Sequence, residues 1–537
     1  MINKLYLLLI ILIIVTGLFL RTNGLDQSPP SLGFDEAALG YNAYSLLKTG
    51  RDEYGNWLPL SLRSFNDFKP ALYSYLTIPF IYIWGLNATA VRMTSAVAGT
   101  ASLIFLYLLL KKYIKNKWLL VFIFMVLSLE PYRLHFSRSA FETNLSAMFF
   151  SGGAYFLLTV KNKFRKILSV LFFGLAAYSY HSARLSAPLL ILLWAFDPID
   201  RLRTNLKFDW SKLVPLFALI LICIPIFVMN NSSLLLTRFK QENVFNRFYP
   251  YAPKEILSPV SFVYYFTGII SGHLFSYISP INLNFRIYDW VKMSPQFIPG
   301  MGMLGWIEGV VFLFGFVFIV GNILKSFNYR FLIYWMIAGI APAAATWTWY
   351  HPLRSLNIFP AIEIIVALGF WQIYLRFKNK IFVIFTILLF LLTIIFTINN
   401  ELKYSAFENN GEYQPGGYKE GMPYFASISN KYSRVIIDTP HAQGFIFFLF
   451  YTAFDPATLH KFADIRPEPG VEGNLNFDFD KYVFRKVDWP QDNKLTNTLF
   501  WTRTDITDAE VNRIPGAKIQ KRVWNSLYET ASIITTE

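Results

Sequence analysis

Residues 4–36 read KLYLLLIILIIVTGLFLRTNGLDQSPPSLGFDE. Lys4 and Arg21 bracket the apolar run Leu5 to Leu20, and Asp35, which opens an acidic pair with Glu36, lies only 14 residues beyond Arg21. A cleaved leader ends in small residues at its cleavage site, and Arg21-Thr22-Asn23 supplies none. The run is therefore read as a retained first membrane span, with Asp35 close to the bilayer surface just beyond it. A carboxylate in that position is partly desolvated, the setting in which such side chains serve as general bases. By spacing alone, the same pair serves equally well to cap or solvate a helix start.

The rest of the chain repeats this apolar pattern. Of 537 residues 54% are hydrophobic, 18% aromatic and only 15% charged, against roughly 25% charged in soluble globular proteins. A mean hydropathy of +0.38 excludes a disordered, collagen-like or coiled-coil protein. Further apolar runs lie near 89–110, 118–132, 143–160, 167–180, 185–197, 213–229, 305–324, 331–347, 355–375 and 381–398. With the first, they make eleven candidate spans of an α-helical polytopic membrane protein, several of them short of the ~20 residues that cross a bilayer. The single cysteine, Cys223, excludes a disulfide framework and a cysteine-built zinc site.

The net charge of +15 is unevenly distributed. Residues 1–400 hold 34 Lys+Arg and 16 Asp+Glu, while 401–537 hold 15 and 18. The basic excess therefore belongs to the membrane part, which argues against nucleic acid as a partner. It falls in clusters between spans: Lys111 to Lys117, Lys161 to Lys166, Arg201 to Lys212, Lys325 with Arg330, and Arg376 to Lys380. The positive-inside rule makes that side cytoplasmic and places the amino terminus there. The first loop 21–88, the segment 131–142, the large loop 230–304 and the turn 347–354 are then outside, in a multi-pass protein of the plasma membrane. An odd span count also puts residues 401–537 outside. In this tail, 434–437, 498–501, 518–523 and 528–535 have strand character, and Gly444 to Phe454 suits an aromatic-faced helix. The expected domains are a membrane domain over 1–400 and a small extracytoplasmic α/β domain over 401–537.

Polar chemistry gathers in the outside segments. The first loop carries Asp35 and Glu36, then Lys69-Pro70-Ala71-Leu72-Tyr73, and its Leu72 to Trp84 stretch suits a helix lying at the interface. The second holds Arg138 and Glu142, four residues apart, a spacing that places both on one face of a helix. A third holds His181 and Arg184, and a fourth His351 and Arg354. Ion pairing, interfacial turns and aromatic anchoring explain each cluster singly. Together, Lys69, Arg138, Arg184 and Arg354 are the cations suited to a donor phosphate, and Asp35 is the carboxylate suited to take a proton from an attacking hydroxyl. Walker A, dinucleotide-binding, zinc-protease and serine-hydrolase motifs are all missing from the sequence. No motif speaks for a divalent metal, and no cofactor is assigned.

The order of elements over residues 1–400 resembles the bacterial C-type membrane glycosyltransferases, in particular the protein O-mannosyltransferase and aminoarabinose-transferase group (glycosyltransferase family 39). The resemblance is most specific in Phe34-Asp35-Glu36, in Lys69-Pro70-Ala71-Leu72-Tyr73 and in Ala90-Val91-Arg92-Met93-Thr94-Ser95-Ala96. It implies transfer of a monosaccharide from a polyprenyl-phosphate carrier on the extracytoplasmic face, with inversion. Asp35 matches the family's base, with Glu36 beside it, and Lys69 matches a contact to the carrier phosphate. Glu142 falls where members carry an acid, and Arg138, His181, Arg184, His351 and Arg354 fall in matching outside segments. Phe68 and Ala38 depart from the aminoarabinose enzymes, which have an acid and an arginine there. The expected partners are a polyprenyl-phosphate-linked sugar, a hydroxyl on protein, lipid or glycan, and membrane lipid. The competing readings are a lipid-linked saccharide transporter or flippase, and a non-catalytic membrane scaffold with an outside binding domain.

Overall fold

The computed structural model describes residues 2–65, 67–199, 209–229, 303–346, 351–376, 417–438, 444–462, 477–502, 507–524 and 529–536, with short pieces within 267–277 and 388–399. The expected span 381–398 and the large loop 230–304 lie mostly outside the described residues.

In chain order the helices are α1 (Ile2–Thr22), α2 (Phe34–Thr49), α3 (Leu72–Trp84), α4 (Ala88–Tyr113), α5 (Lys117–Ser128), α6 (Pro131–Arg138), α7 (Glu142–Leu158), α8 (Lys163–Ser179) and α9 (Ala183–Phe196). They continue with α10 (Val214–Met229), α11 (Trp306–Asn322), α12 (Phe327–Ala344), α13 (Pro352–Ser355) and α14 (Phe359–Arg376). Every expected apolar run from 5 to 375 falls on one of them. Among the described residues, three helical stretches, Lys4–Thr22, Ala88–Tyr113 and Pro352–Arg376, are each long and apolar enough to cross a bilayer. The pair α5 and α6 adds a fourth when counted as one span broken by a 48° bend.

The segment 131–142, expected as a loop, is mostly helical. Pro131 cannot donate to the preceding turn, and the Glu130 carboxylate caps the new helix by accepting from Tyr132 N–H at 3.2 Å and Arg133 N–H at 2.7 Å. All eight residues of α6 are buried. The chain then turns extended at Ser139, and α7 starts at Glu142. Arg138 and Glu142 therefore do not share a helix face.

The described chain forms two compact units, residues 1–23 with 94–404 and residues 24–93 with 405–537. The first is the helical bundle. Where α11 meets α14, a Cβ on Gly315 would overlap the Ile365 carbonyl and one on Gly369 would overlap that of Val311. Only glycine allows two membrane helices to approach so closely. The bundle buries ion pairs, Arg133–Glu363 and Arg330–Asp197 among them, since a lone charge there is costly. Arg133 donates Nε to Glu363 Oε1 at 2.7 Å and Nη2 to Oε2, and its Nη1 reaches Ser102 Oγ at 2.5 Å.

The second unit joins the first loop to the tail. Strands β1 (Ser61–Ser64) and β2 (Asp67–Pro70) make an antiparallel hairpin. The tail contributes α15 (Tyr418–Ser429), β3 (Arg434–Ile437), α16 (Gly444–Tyr451), α17 (Pro456–His460), β4 (Phe477–Phe479), β5 (Tyr482–Phe484), α18 (Trp489–Asp492), β6 (Thr498–Thr502), α19 (Asp508–Val511), β7 (Ala517–Trp524) and β8 (Glu529–Thr536). Its sheet has the order β4-β5-β3-β6-β8-β7, with β3 parallel to both β5 and β6 and the other pairs antiparallel. Alternate residues of β3 serve opposite faces. Ile436 joins Val483, Phe500, Val511, Ile514 and Ile534 in one cluster. On β6, Trp501 stacks on Tyr418 of α15 at 5.3 Å, and on β5, Phe484 meets Phe445 of α16 edge-on at 5.1 Å. A strand covered on both faces is apolar throughout, which explains the unbroken Val435-Ile436-Ile437.

Candidate active site

Helix α2 sets the geometry of the first loop. Gly33 enters it extended, and Glu36, three residues on, returns its carboxylate to the Gly33 N–H at 2.9 Å. The helix stops at Gly50, whose φ of 69° is left-handed and whose N–H closes on the Leu46 carbonyl at 2.9 Å. Asp35 and Glu36 thus occupy the first turn, where acids complement the helix dipole.

The two acids have different surroundings. Glu36 is buried and holds Arg92, which donates Nε to Oε1 and Nη2 to Oε2, each at 2.9 Å. The same guanidinium reaches the carbonyls of Leu25 at 2.7 Å, Pro29 at 2.5 Å and Ser31 at 2.7 Å. Arg92 is fully buried, so this hub laces the 25–31 loop to the start of α2. Asp35, one residue earlier, leaves its side chain 51% exposed and forms an ion pair with Lys69 Nζ, whose side chain is 13% exposed.

The hairpin delivers Lys69 to that position. Lys69 pairs with Leu62 across β1 and β2, and Phe34 at the start of α2 meets Phe65 of the turn edge-on at 5.3 Å. Ala71 N–H then bonds the Leu60 carbonyl at 3.2 Å and leads into α3. Ser74 Oγ of α3 ties back to the Leu39 carbonyl of α2 at 2.9 Å. The helix expected over Leu72 to Trp84 forms over those residues, and Tyr82, Ile83 and Trp84 are exposed at its end.

Beyond α2, burial pushes the Asp52 carboxyl up against the opposing hydrogen bonds from Asn56 and Tyr54. Its Oδ1 accepts from both backbone N–H groups at 2.9 Å, which shapes the turn after α2.

The remaining expected residues lie in the bundle unit, and two of their clusters meet there. The turn holding His181 and Arg184 joins the segment after His351 and Arg354 through Asn357 Nδ2, which donates to Ser182 Oγ at 3.2 Å. Tyr277 sits at the same place: its hydroxyl accepts the His351 N–H at 2.9 Å, with Arg354 and Tyr180 nearby. Arg184 Nε donates to the Ala177 carbonyl at 3.2 Å. Arg138 is buried and closes the end of α1, donating Nη1 to the carbonyls of Leu20 at 2.6 Å and Asn23 at 2.9 Å. Glu142 is buried at the start of α7. Among the described residues no group of three or more His, Cys, Asp or Glu side chains could hold a metal ion.

Sequence reasoning quoted Arg92 within a motif without giving it a role, and missed Tyr277 and the Arg133–Glu363 pair. Arg92 left one signal, a lone cation among small apolar residues directly after a loop containing an acidic pair. Tyr277 left none, being one of 31 tyrosines.

No family model matches the sequence. No curated protein matches it either. Solved structures do. ArnT from Cupriavidus metallidurans, bound to undecaprenyl phosphate, superposes with a TM-score of 0.57 at 12% identity over 98% of this chain and 97% of its own. The archaeal oligosaccharyltransferase AglB from Archaeoglobus fulgidus, in complex with an inhibitory peptide and a dolichol-phosphate, superposes with a TM-score of 0.52 at 13% identity over 84% of this chain. The match spans 64% of the AglB chain. At such identities a likeness speaks for the fold. Helical membrane part, first-loop segment and carboxy-terminal sheet domain together give this chain the fold of the C-type membrane glycosyltransferases.

Proposed function

We propose that the protein transfers a monosaccharide from a polyprenyl-phosphate carrier to an acceptor hydroxyl on the extracytoplasmic face, in one inverting displacement. The observation that carries this reading is the division of labour between adjacent acids. Glu36 is consumed by Arg92, while Asp35 stays half exposed beside one buried-stemmed cation, Lys69. The bound polyprenyl phosphates of ArnT and AglB support a carrier of that class.

The Asp35–Lys69 pair neutralises both groups. A donor phosphate competes for Lys69 and leaves Asp35 to accept a proton. The acceptor oxygen then bonds to the anomeric carbon as the bond from that carbon to the phosphate oxygen breaks. The hydroxyl proton passes to Asp35, the electron pair leaves with the polyprenyl phosphate, and Lys69 offsets the charge gathering there. Glu36 acts through Arg92 by fixing the start of α2. Arg138, Arg184 and Arg354 remain proposed contacts to the donor phosphate, and Glu142, His181 and His351 remain further proposed site residues. The basic clusters between spans support an amino terminus inside and a tail outside.

The test is turnover of labelled polyprenyl-phosphate sugars by protein in lipid discs. Asp35→Asn should abolish release of polyprenyl phosphate while donor binding survives. Carrier movement across the bilayer with intact glycosidic bonds, independent of Asp35, would instead establish a transporter.

A further inference from the structure

The tail segment 444–460 runs along α2 within the same compact unit and touches it at successive points. At the amino-terminal end, the half-buried Tyr451 side chain hydrogen-bonds the backbone of Leu32 and lies near Arg92 and Glu36. Midway, the fully buried Tyr41 hydroxyl donates to the Phe454 carbonyl at 2.9 Å. One residue before it, Gly40 lies against Phe450 so closely that a Cβ would stand 2.7 Å from the ring and 2.5 Å from Val91. At the far end, His460 Nε2 donates to the Asp52 carbonyl at 2.7 Å and lies 3.4 Å from Ser45 Oγ.

These contacts span α2 from the residues just before Asp35 to the turn beyond its last residue. A helix held at both ends and in the middle has one axial position and one rotation. Core packing alone would not need Tyr451 and Tyr41 to spend their hydroxyls on backbone groups of the other segment, since phenylalanine fills the same volume. The first loop's own hairpin positions Lys69, and the tail adds hydroxyl contacts at Leu32 and Tyr41.

We infer that the segment 444–460 is a splint for the Asp35 helix, with Tyr451 and Tyr41 as positioning residues for the transfer reaction. The inference rests on the reading of Asp35 as the base. The carboxy-terminal domain thereby contributes to turnover without touching the sugar.

The experiment uses full-length protein in lipid discs and a donor that the wild type turns over. Tyr451→Phe and Tyr41→Phe each delete one hydroxyl and leave the ring in place, so folding should survive, and thermal unfolding verifies it. Each should lower kcat by about tenfold with KM for donor little changed, the pattern of a displaced reacting group. A double-mutant cycle with Asp35→Glu supplies the discriminating readout. The longer side chain is already out of register, so the loss from Tyr451→Phe should largely vanish in that background. Wild-type kcat in both tyrosine variants, with Asp35→Asn inactive, would overturn the splint and leave the base standing. An equal loss from Tyr451→Phe in the wild-type and Asp35→Glu backgrounds would reduce Tyr451 to a merely structural role and overturn it too. Full activity of Asp35→Asn would instead remove the base reading on which the splint depends.

Discussion

Arg92 and Glu36 face each other through two parallel hydrogen bonds of 2.9 Å, both side chains buried, one position along from the exposed carboxylate of Asp35. The fork fixes the helix start from inside, while the neighbouring Asp35 pairs with Lys69.

Removing one partner strands the other in an apolar setting. Arg92→Ala should destabilise the unit of residues 24–93 and 405–537 by about 3–5 kcal/mol. Arg92→Lys should recover only part of this, because an ammonium cannot reproduce the fork. Unfolding followed through the buried Trp501 checks both variants. Asp35→Asn should leave that transition nearly unmoved.

Lys69 makes a separate prediction about the donor. Lys69→Gln should reduce kcat/KM for a polyprenyl-phosphate sugar by about 10²-fold, the size of losing one preorganised partner to developing charge. Lys69→Arg should restore part of it. Steady-state kinetics at two ionic strengths measures the effect, and an unchanged kcat/KM in Lys69→Gln would remove the lysine from the phosphate.

The tail domain carries its own acid-sensitive contact. Asp492 is desolvated, yet bonds from Arg485 and from the Asp488 N–H hold its carboxyl below its ordinary value of 3.8. A depressed folded-state pKa means stability that is present above the unfolded value and is lost as pH falls through the folded one. Asp492→Asn should therefore cost about 1.5–3 kcal/mol at neutral pH. The two unfolding curves should converge as the pH drops below 3.8 and the wild-type carboxylate protonates. A difference that persists undiminished in acid would assign the loss to shape rather than charge.

Much of this fold can be read from periodicity. Every apolar run from 5 to 375 became a helix, and 434–437 and 498–501 became neighbouring parallel strands with the second one residue longer. Leu72 to Trp84 is a helix over just those residues because Gly85 ends it and Ala71 follows a strand. The segment 131–142 was harder. Its charged residues resemble a solvated loop, whereas Arg133, Arg138 and Glu142 are all buried, and Arg133 finds its partner in the distant Glu363. The short β4 and β5 strands carry too few residues for an alternation to register. Asp35, Glu36 and Lys69 were singled out by residue type and family likeness, but their unequal roles depend on Arg92 at a sequence distance of 56 residues from Glu36. The stretch Gly444 to Phe454 reads as an aromatic-faced helix, and only the folded unit places it along α2.

The most direct measurement compares wild type with Asp35→Asn in lipid discs, following release of free polyprenyl phosphate across a panel of labelled polyprenyl-phosphate sugars, each given with protein, lipid and glycan acceptors. The expected result is release by wild type from at least one donor, an inverted glycosidic product, and none from the variant, although it binds the donor. Equal release from Asp35→Asn would contradict the assignment of Asp35 as the base, and no release from any donor by wild type would contradict glycosyl transfer itself.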